Sequence, residues 1–456
     1  MAGFDSINLA SWTNGAWKNN RLPKKIREFC FDTRLLKKGD CFVALNITAR
    51  DGHSFIDEAI EIGASCILAE RVTNHSIPQL IVKDSLLAMQ AIGAAKRIEF
   101  DGKLAAITGS CGKTTTKEIL RILLGTSETH ATDGNCNNRI GVPMTLFGLN
   151  KDKRYAVIEA GINQPGEMVH LGQMIKADLV LVTHIGPAHL ELLQSLENIA
   201  EEKAHLVRLA QPNAPLIVTE EVFKYPSYRC FAKQSIVVAN DAASLPDEVG
   251  KVIRYTYTTD GIRLFNMNFE IASSSRGVRT NCALAIVAAL NFGIELEKIQ
   301  QRIALWRPSS NRGFVWRNAK QIFYIDCYNA NPSSMMDSLE AFKQTNVGEV
   351  ARGYVIGAMN ELGLQANQFH RSVGRALKLN SVDRLWFVGP AKLTSQYCLG
   401  AKESGCSLDQ IRCEDSVNKL KSDIAEFDGA LFLKGSRIYE LETLLPDNFS
   451  PSLSNL

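Results

Sequence analysis

Residues 104–120, LAAITGSCGKTTTKEIL, lead an apolar run into a loop bounded by Gly109 and Gly112, then into a helical pattern opened by Lys113, Thr114 and Thr115. Glycines let backbone N–H groups converge on an anion without interference from a Cβ, and the start of a helix adds its dipole. Gly109, Ser110, Cys111, Gly112, Lys113, Thr114 and Thr115 can together cradle phosphates. Lys113 would reach the outer ones and the Thr114 hydroxyl would ligate Mg²⁺. The spacing departs from the strict G-x-x-x-x-G-K-[ST] form, because Ile107 stands where the first glycine belongs. A glycine turn with an exposed lysine is the alternative. A strand before, a helix after and a hydroxyl directly after the lysine favour phosphate. This much implies a nucleotide, not a reaction.

Three more side chains can join that chemistry. Glu159 closes the run YAVIEAG, and a carboxylate at the carboxyl end of a parallel strand can hold a phosphate-bound metal. The alternative is a turn residue facing water. His189, in THIGPAHLE, follows the next run; a lone histidine is as readily a satisfied structural residue as a ligand. Lys203 lies in ENIAEEKAHLV, where a solvated helix lysine is the plain reading.

The elements that must position these groups alternate. Short apolar runs near 66, 104, 155, 178, 215, 321, 353, 384 and 430 read as buried strands, with helical periodicity between them, as in KEILRILLG, SLENIAEEKAHLVRLA and SSMMDSLEAF. Strand–helix alternation implies parallel sheets covered by helices, an α/β fold. Seams at RIEFDGK and at WRPSSNRG divide the 456 residues into three expected domains, 1–101, 102–311 and 312–456; the terminal PSLSNL reads as a loose tail.

Composition excludes other classes. With 51 Lys+Arg against 48 Asp+Glu there is no electrostatic footprint for nucleic acid. Eleven cysteines, an odd number with no C-x-x-C pairing, fit reduced thiols in a cytoplasm better than a disulfide framework. No charged stretch precedes an apolar one at the amino terminus, and no apolar run is long enough to span a bilayer. A soluble cytoplasmic protein without a membrane partner is expected.

Seven motifs then occur together and in order: ITGSCGKTTTKE, GNCNNRIGVPMTL, YAVIEAGINQPGEM, GPAHLE followed by EEKAHLV, IDCYNANPSSM, MNELG and LFLKGSR. The chain resembles the Mur ligase family over all but its extreme ends. DTRLLKKGDCFVAL and DGHSFIDEAIEIGAS, with YNANP, resemble the branch that joins D-alanyl-D-alanine to a UDP-N-acetylmuramoyl tripeptide.

The resemblance implies a UDP-sugar domain, a central ATPase domain and a Rossmann-like third domain. It implies ATP, two Mg²⁺ ions, a monomer, and a role in cell-wall peptidoglycan precursor synthesis and hence in cell shape and division. Lys113 and Thr114 match the phosphate and first Mg²⁺ positions. Glu159 and His189 match those that hold a second Mg²⁺, and Lys203 matches a lysine that can carry a CO₂-derived carbamate bridging metal. Asn281, Arg312 and Asp326 match positions near adenine, phosphates and ribose. Asn135 and Asn138 match positions near the muramoyl carboxylate and phosphate, with loop capping as the alternative. Asn329 and Asn331 match the mouth where the dipeptide enters, with turn chemistry as the alternative. Lys434, Ser436 and Arg437 match a dipeptide-carboxylate site. Thr33 and Arg34, after Asp32, and Asp51 and His53, around Gly52, match the uridine-diphosphate side.

Ile325, Ala358, His184 and Asn311 depart from the residues common at those positions. Two competing functions remain at this stage. One is a different amide ligase of the superfamily, against which the absence of DNPR speaks. The other is a P-loop switch that hydrolyses ATP without joining anything.

Overall fold

The computed structural model describes residues 4–47, 50–245, 249–345 and 347–450; the expected loose tail lies outside them. Three sheets organise the chain. The first is small and mixed, with strands Ala16–Trp17, Phe29–Cys30, Cys41–Val43, Cys66–Ala69 and Gln79–Ile81. Its helix Ser85–Ile98 packs on the next unit, where Gly93 sits against Pro143 and Arg97 donates to the Ile175 and Lys176 carbonyls.

The central sheet has nine strands, and four elements of this unit matter most for the site: β1 (Lys103–Thr108), α1 (Lys113–Leu124), β2 (Tyr155–Glu159) and β3 (Leu179–Val182). β1 lies between β2 and β3, parallel to both. Alternate β1 residues point to opposite faces: Leu104 and Ala106 join one buried cluster, Ala105 and Ile107 the other. Both faces are covered, which explains why these strands read as unbroken apolar runs. Helix α2 (Leu196–Arg208) covers the first face; α3 (Arg276–Asn291), with α1, covers the second. Strands Gly261–Leu264 and Met267–Glu270 add an antiparallel extension at one edge.

The third sheet contains β4 (Gln321–Ile325), β5 (Arg352–Gly357) and β6 (Gly429–Lys434), with β6 between the other two and parallel to both. Helix α4 (Pro332–Gln344) follows β4. The parallel strands of these two sheets therefore present carboxyl ends, and the loops after β1, β2, β3 and β4 meet around one cavity.

Candidate active site

The cavity occupies about 690 Å³. The phosphate-binding candidates Ser110 to Thr115 line it, together with Asn135, Asn138, Glu159, His189, Asn281, Arg312, Asp326, Asn329, Asn331 and Lys434.

The loop after β1 is braced from below. Thr183, just past β3, donates from its hydroxyl to the Cys111 carbonyl at 2.5 Å, and the Ser110 N–H donates to the His184 carbonyl at 2.8 Å. Gly109 has φ +150° and leaves no room for a Cβ, which would stand 2.0 Å from Thr183 Oγ1. Gly112 has φ +79°, and a Cβ there would stand 2.6 Å from the Asn281 side chain. Both glycines are therefore required by close approach as well as by backbone conformation. Lys113 opens α1 and donates to the Gly109 carbonyl at 2.7 Å. Loss of solvent around its ammonium pushes its pKa below the ordinary lysine value, while the Glu159 charge opposes that shift. Desolvation also pushes the Cys111 thiol up to about 11.

Glu159 is 1% exposed. Its Oε1 accepts a hydrogen bond from Asn137 Nδ2 at 2.7 Å, while Oε2 is buried without a hydrogen-bond partner. An orphaned carboxylate oxygen beside a phosphate loop is a vacant acceptor of the kind a hard cation satisfies. His189 adopts φ +55°, and its Nδ1 lies 2.5 Å from the Glu361 carboxylate of the third domain. Burial lowers its pKa, which favours the neutral imidazole that a metal requires, against the pull of Glu361. Among the described residues no three His, Cys, Asp or Glu side chains cluster as a closed metal site. Mg²⁺ needs no such cage: one or two protein oxygens with phosphate oxygens and water suffice. Glu159 and the Thr114 hydroxyl supply such oxygens, and the His189 ring lines the same cavity.

Lys203 is 2% exposed and does not line the cavity wall. Burial, followed by the Lys113 charge, pushes its pKa well below the ordinary value. A solvated helix lysine is therefore not what the fold builds.

Several candidates have local partners. Asn138 Oδ1 accepts from the Ile140 and Gly141 N–H groups where a short helix begins, while Asn135 lines the wall. Asn331 caps α4 through Ser334, and its Nδ2 donates to the Ser110 carbonyl at 3.3 Å, joining the third domain to the phosphate loop. Asn329 Oδ1 accepts from the Ala330 N–H. Arg312 stacks on Tyr328 at 3.8 Å. Asp326 is paired with Lys434 at 2.6 Å and accepts a hydrogen bond from Ser338.

Other candidates stand apart. Ser436 Oγ accepts from the Asn360 N–H, Arg437 is paired with Glu442, and neither lines the cavity. On the first sheet Arg34 grips Asp32 through two hydrogen bonds. His53 donates from Nδ1 to Asp51 at 2.6 Å while its Nε2 accepts from the Glu70 N–H; Asp51 also takes Arg71. Thr33 is buried there. The candidates Thr33, Arg34, Asp51 and His53 do not line the cavity.

Sequence reasoning missed Asn137, Tyr255, Thr280 and Asp337, all near or on the wall. Asn137 has a readable signal, since it lies between Asn135 and Asn138 in the same loop.

Two family models match: the Mur ligase middle domain over residues 107–289 and the Mur ligase glutamate ligase domain over residues 312–437. The chain is 30% identical to the UDP-N-acetylmuramoyl-tripeptide–D-alanyl-D-alanine ligase of Escherichia coli (strain K12), over 91% of this chain and 92% of that one. Its fold is similar to MurF from Acinetobacter baumannii, with TM-score 0.86, 27% identity, and 97% and 98% of the two chains covered. MurF from Thermotoga maritima, solved in complex with ADP, is similar with TM-score 0.76, 25% identity, and 92% and 96% covered. No helix among the described residues is long and apolar enough to cross a membrane. A braced glycine loop beside the carboxyl-edge Glu159, these relatives and the matched models lead to one conclusion: the chain belongs to the Mur ligase family.

Proposed function

We infer that the chain is an ATP-dependent amide ligase that joins D-alanyl-D-alanine to a UDP-N-acetylmuramoyl tripeptide, forming ADP and phosphate in peptidoglycan precursor synthesis. The convergence of Lys113, the orphaned Glu159 oxygen and the third-domain residues Arg312 and Asp326 on one cavity carries this reading.

A carboxylate is a poor acylating agent. Transfer of the γ-phosphoryl group to the tripeptide carboxylate gives an acyl phosphate, whose phosphate is a good leaving group. The amine of the dipeptide attacks that carbonyl, and phosphate departs from the tetrahedral intermediate. Lys113 and the loop N–H groups neutralise charge that develops on the transferring phosphoryl group. Glu159, Thr114 and His189 would hold Mg²⁺, which when bound would neutralise phosphate charge. Lys203, uncharged at a higher proton concentration than an ordinary lysine, is suited to add CO₂ with release of one proton to solvent, and the resulting anionic carbamate would help to hold a second ion. Asn331 and Glu361 bring the third domain over the cavity, which keeps water from the acyl phosphate.

We assign residues 1–101 to the UDP-muramoyl side, with Thr33, Arg34, Asp51 and His53. Residues 102–311 form the nucleotide domain, with Asn135 and Asn138 facing the muramoyl peptide. Residues 312–456 form the dipeptide-contacting domain, acting as part of a cytoplasmic monomer. Lys434 supports this assignment by orienting Asp326 and the Asn329 carbonyl, with Ser436 and Arg437 just beyond.

The test is product formation. Phosphate release should require both the UDP-muramoyl tripeptide and D-alanyl-D-alanine, and mass spectrometry should find one new amide. Release with ATP alone would support a switch instead. Release with diaminopimelate or lysine in place of the dipeptide would support another ligase of the family.

A further inference from the structure

One carboxylate at the rim of the cavity has no part in the ligation chemistry above. Asp337 lies on α4 in the third domain and reaches the start of α3 in the central one. Its Oδ2 accepts from the Ser275 hydroxyl at 2.5 Å, and its Oδ1 accepts from the Gly277 N–H at 3.0 Å. Ser275 is 4% exposed and caps α3, its Oγ accepting from the Val278 N–H at 2.9 Å. The acid thus sits on a helix start whose N–H groups and dipole favour an anion. A Cβ on Gly277 would stand 2.9 Å from Asp337 Oδ2, so this approach depends on that glycine. One turn further along α4, the Ala341 carbonyl accepts from the Ser274 hydroxyl at 2.9 Å.

These contacts tie two walls together. From the same start, α3 carries Thr280 and Asn281 to the cavity, with Asn281 against Gly112 of the phosphate loop. On the other wall stand Arg312 and Asp326, in the domain that holds Asp337. The closest Asp337 contacts are hydrogen bonds to a carboxylate, the stronger kind.

We propose that Asp337 is a positioning residue for the nucleotide: it latches the third domain to the start of α3, so that Arg312 and Asp326 face the phosphate loop. The latch rests on the reading of the cavity as an ATP site.

Titration of the full-length chain with ADP tests it, using the wild type, Asp337→Ala, Asp337→Asn, Ser275→Ala and the Asp337→Ala/Ser275→Ala double variant. ADP affinity should fall about tenfold in Asp337→Ala, the loss of one or two charge-assisted hydrogen bonds. Asp337→Asn, which keeps one acceptor without the charge, should fall between. The double variant should lose less than the two single losses combined, because both changes break the Asp337–Ser275 contact while Ser275→Ala also removes the cap bond to Val278. In turnover the KM for ATP should rise by a similar factor, with kcat at saturating ATP within about threefold of wild type.

Folded Asp337→Ala with wild-type ADP affinity would overturn the proposal, as would additive losses in the double variant. If Asp337→Ala does not fold, Asp337→Asn and Ser275→Ala decide: wild-type affinity in both overturns the latch, a shared loss upholds it. ADP binding requires no ligation, so a failed latch leaves amide formation standing. Amide formation by the wild type, with wild-type ADP affinity in every variant, would overturn the latch alone.

Discussion

Lys113 and Lys434 both stand beyond or at the carboxyl end of a parallel strand, yet their surroundings give them opposite work. Lys113 follows β1 across a loop and rests on the Gly109 carbonyl, with Glu159 as the charge that influences it most rather than as a bonded partner. Lys434 ends β6, is 1% exposed, and is bonded to Asp326 and to the Asn329 carbonyl. The first ammonium can turn to a phosphate; the second is already committed to holding an acid in place. What lies at bonding distance, not residue type or place on the sheet, separates a charge used in chemistry from one used in architecture.

That contrast can be broken from either side. Lys113→Ala should lower kcat on the order of 10³-fold in steady-state turnover while the melting temperature stays near wild type. Lys434→Met should do the reverse first: it leaves Asp326 charged without its cation, and denaturant titration should show a loss of about 3 kcal/mol. Replacing Asp326 as well by an apolar residue should recover part of that loss. Glu159→Gln should raise the Mg²⁺ concentration for half-maximal turnover about 10²-fold, and Asn137→Ala, which frees the same carboxylate to swing, about tenfold.

Lys203 sharpens the comparison by pH. Its amine is held well below the ordinary lysine value, so it is uncharged down to a lower pH than a free lysine, and only the uncharged amine adds CO₂. Activity should fall as acidification protonates it, and bicarbonate should restore part of the activity on that acid limb. Lys203→Ala should lose activity with no bicarbonate response; full activity there would remove the carbamate from the mechanism. The smallest effect concerns Cys111. With its thiol pushed up to about 11, alkylation at neutral pH should be slow and should accelerate as pH rises. Bound ATP should protect it, and complete labelling should slow turnover. Unchanged turnover after complete labelling would argue against a phosphate cradle there.

The legible parts of this molecule are those where one physical pattern repeats. Strands buried on both faces announce themselves as apolar runs, and β1, β2, β3, β4, β5 and β6 all do. In the first sheet only Cys66–Ala69 does, because its other strands are two or three residues long, too short for a period to show. Helix α3 is buried over most of its surface, and an apolar run without an amphipathic stripe cannot be told from a strand by period alone. At the site, Gly109, Lys113 and Glu159 are visible because a loop between strand and helix restricts what they can do. The pairing of Lys434 with Asp326 is not visible, since the partners are 108 residues apart and meet only when β4 and β6 become neighbours. Asp337 is hidden for the same reason, looking like an ordinary polar helix residue until α4 docks on α3.

The central claim is that phosphoryl transfer activates the tripeptide carboxylate. Placing ¹⁸O in that carboxylate and analysing the phosphate released on ligation with D-alanyl-D-alanine tests it directly. The account predicts one labelled oxygen carried into each phosphate that departs from the acyl group. Unlabelled phosphate alongside newly formed amide would contradict it.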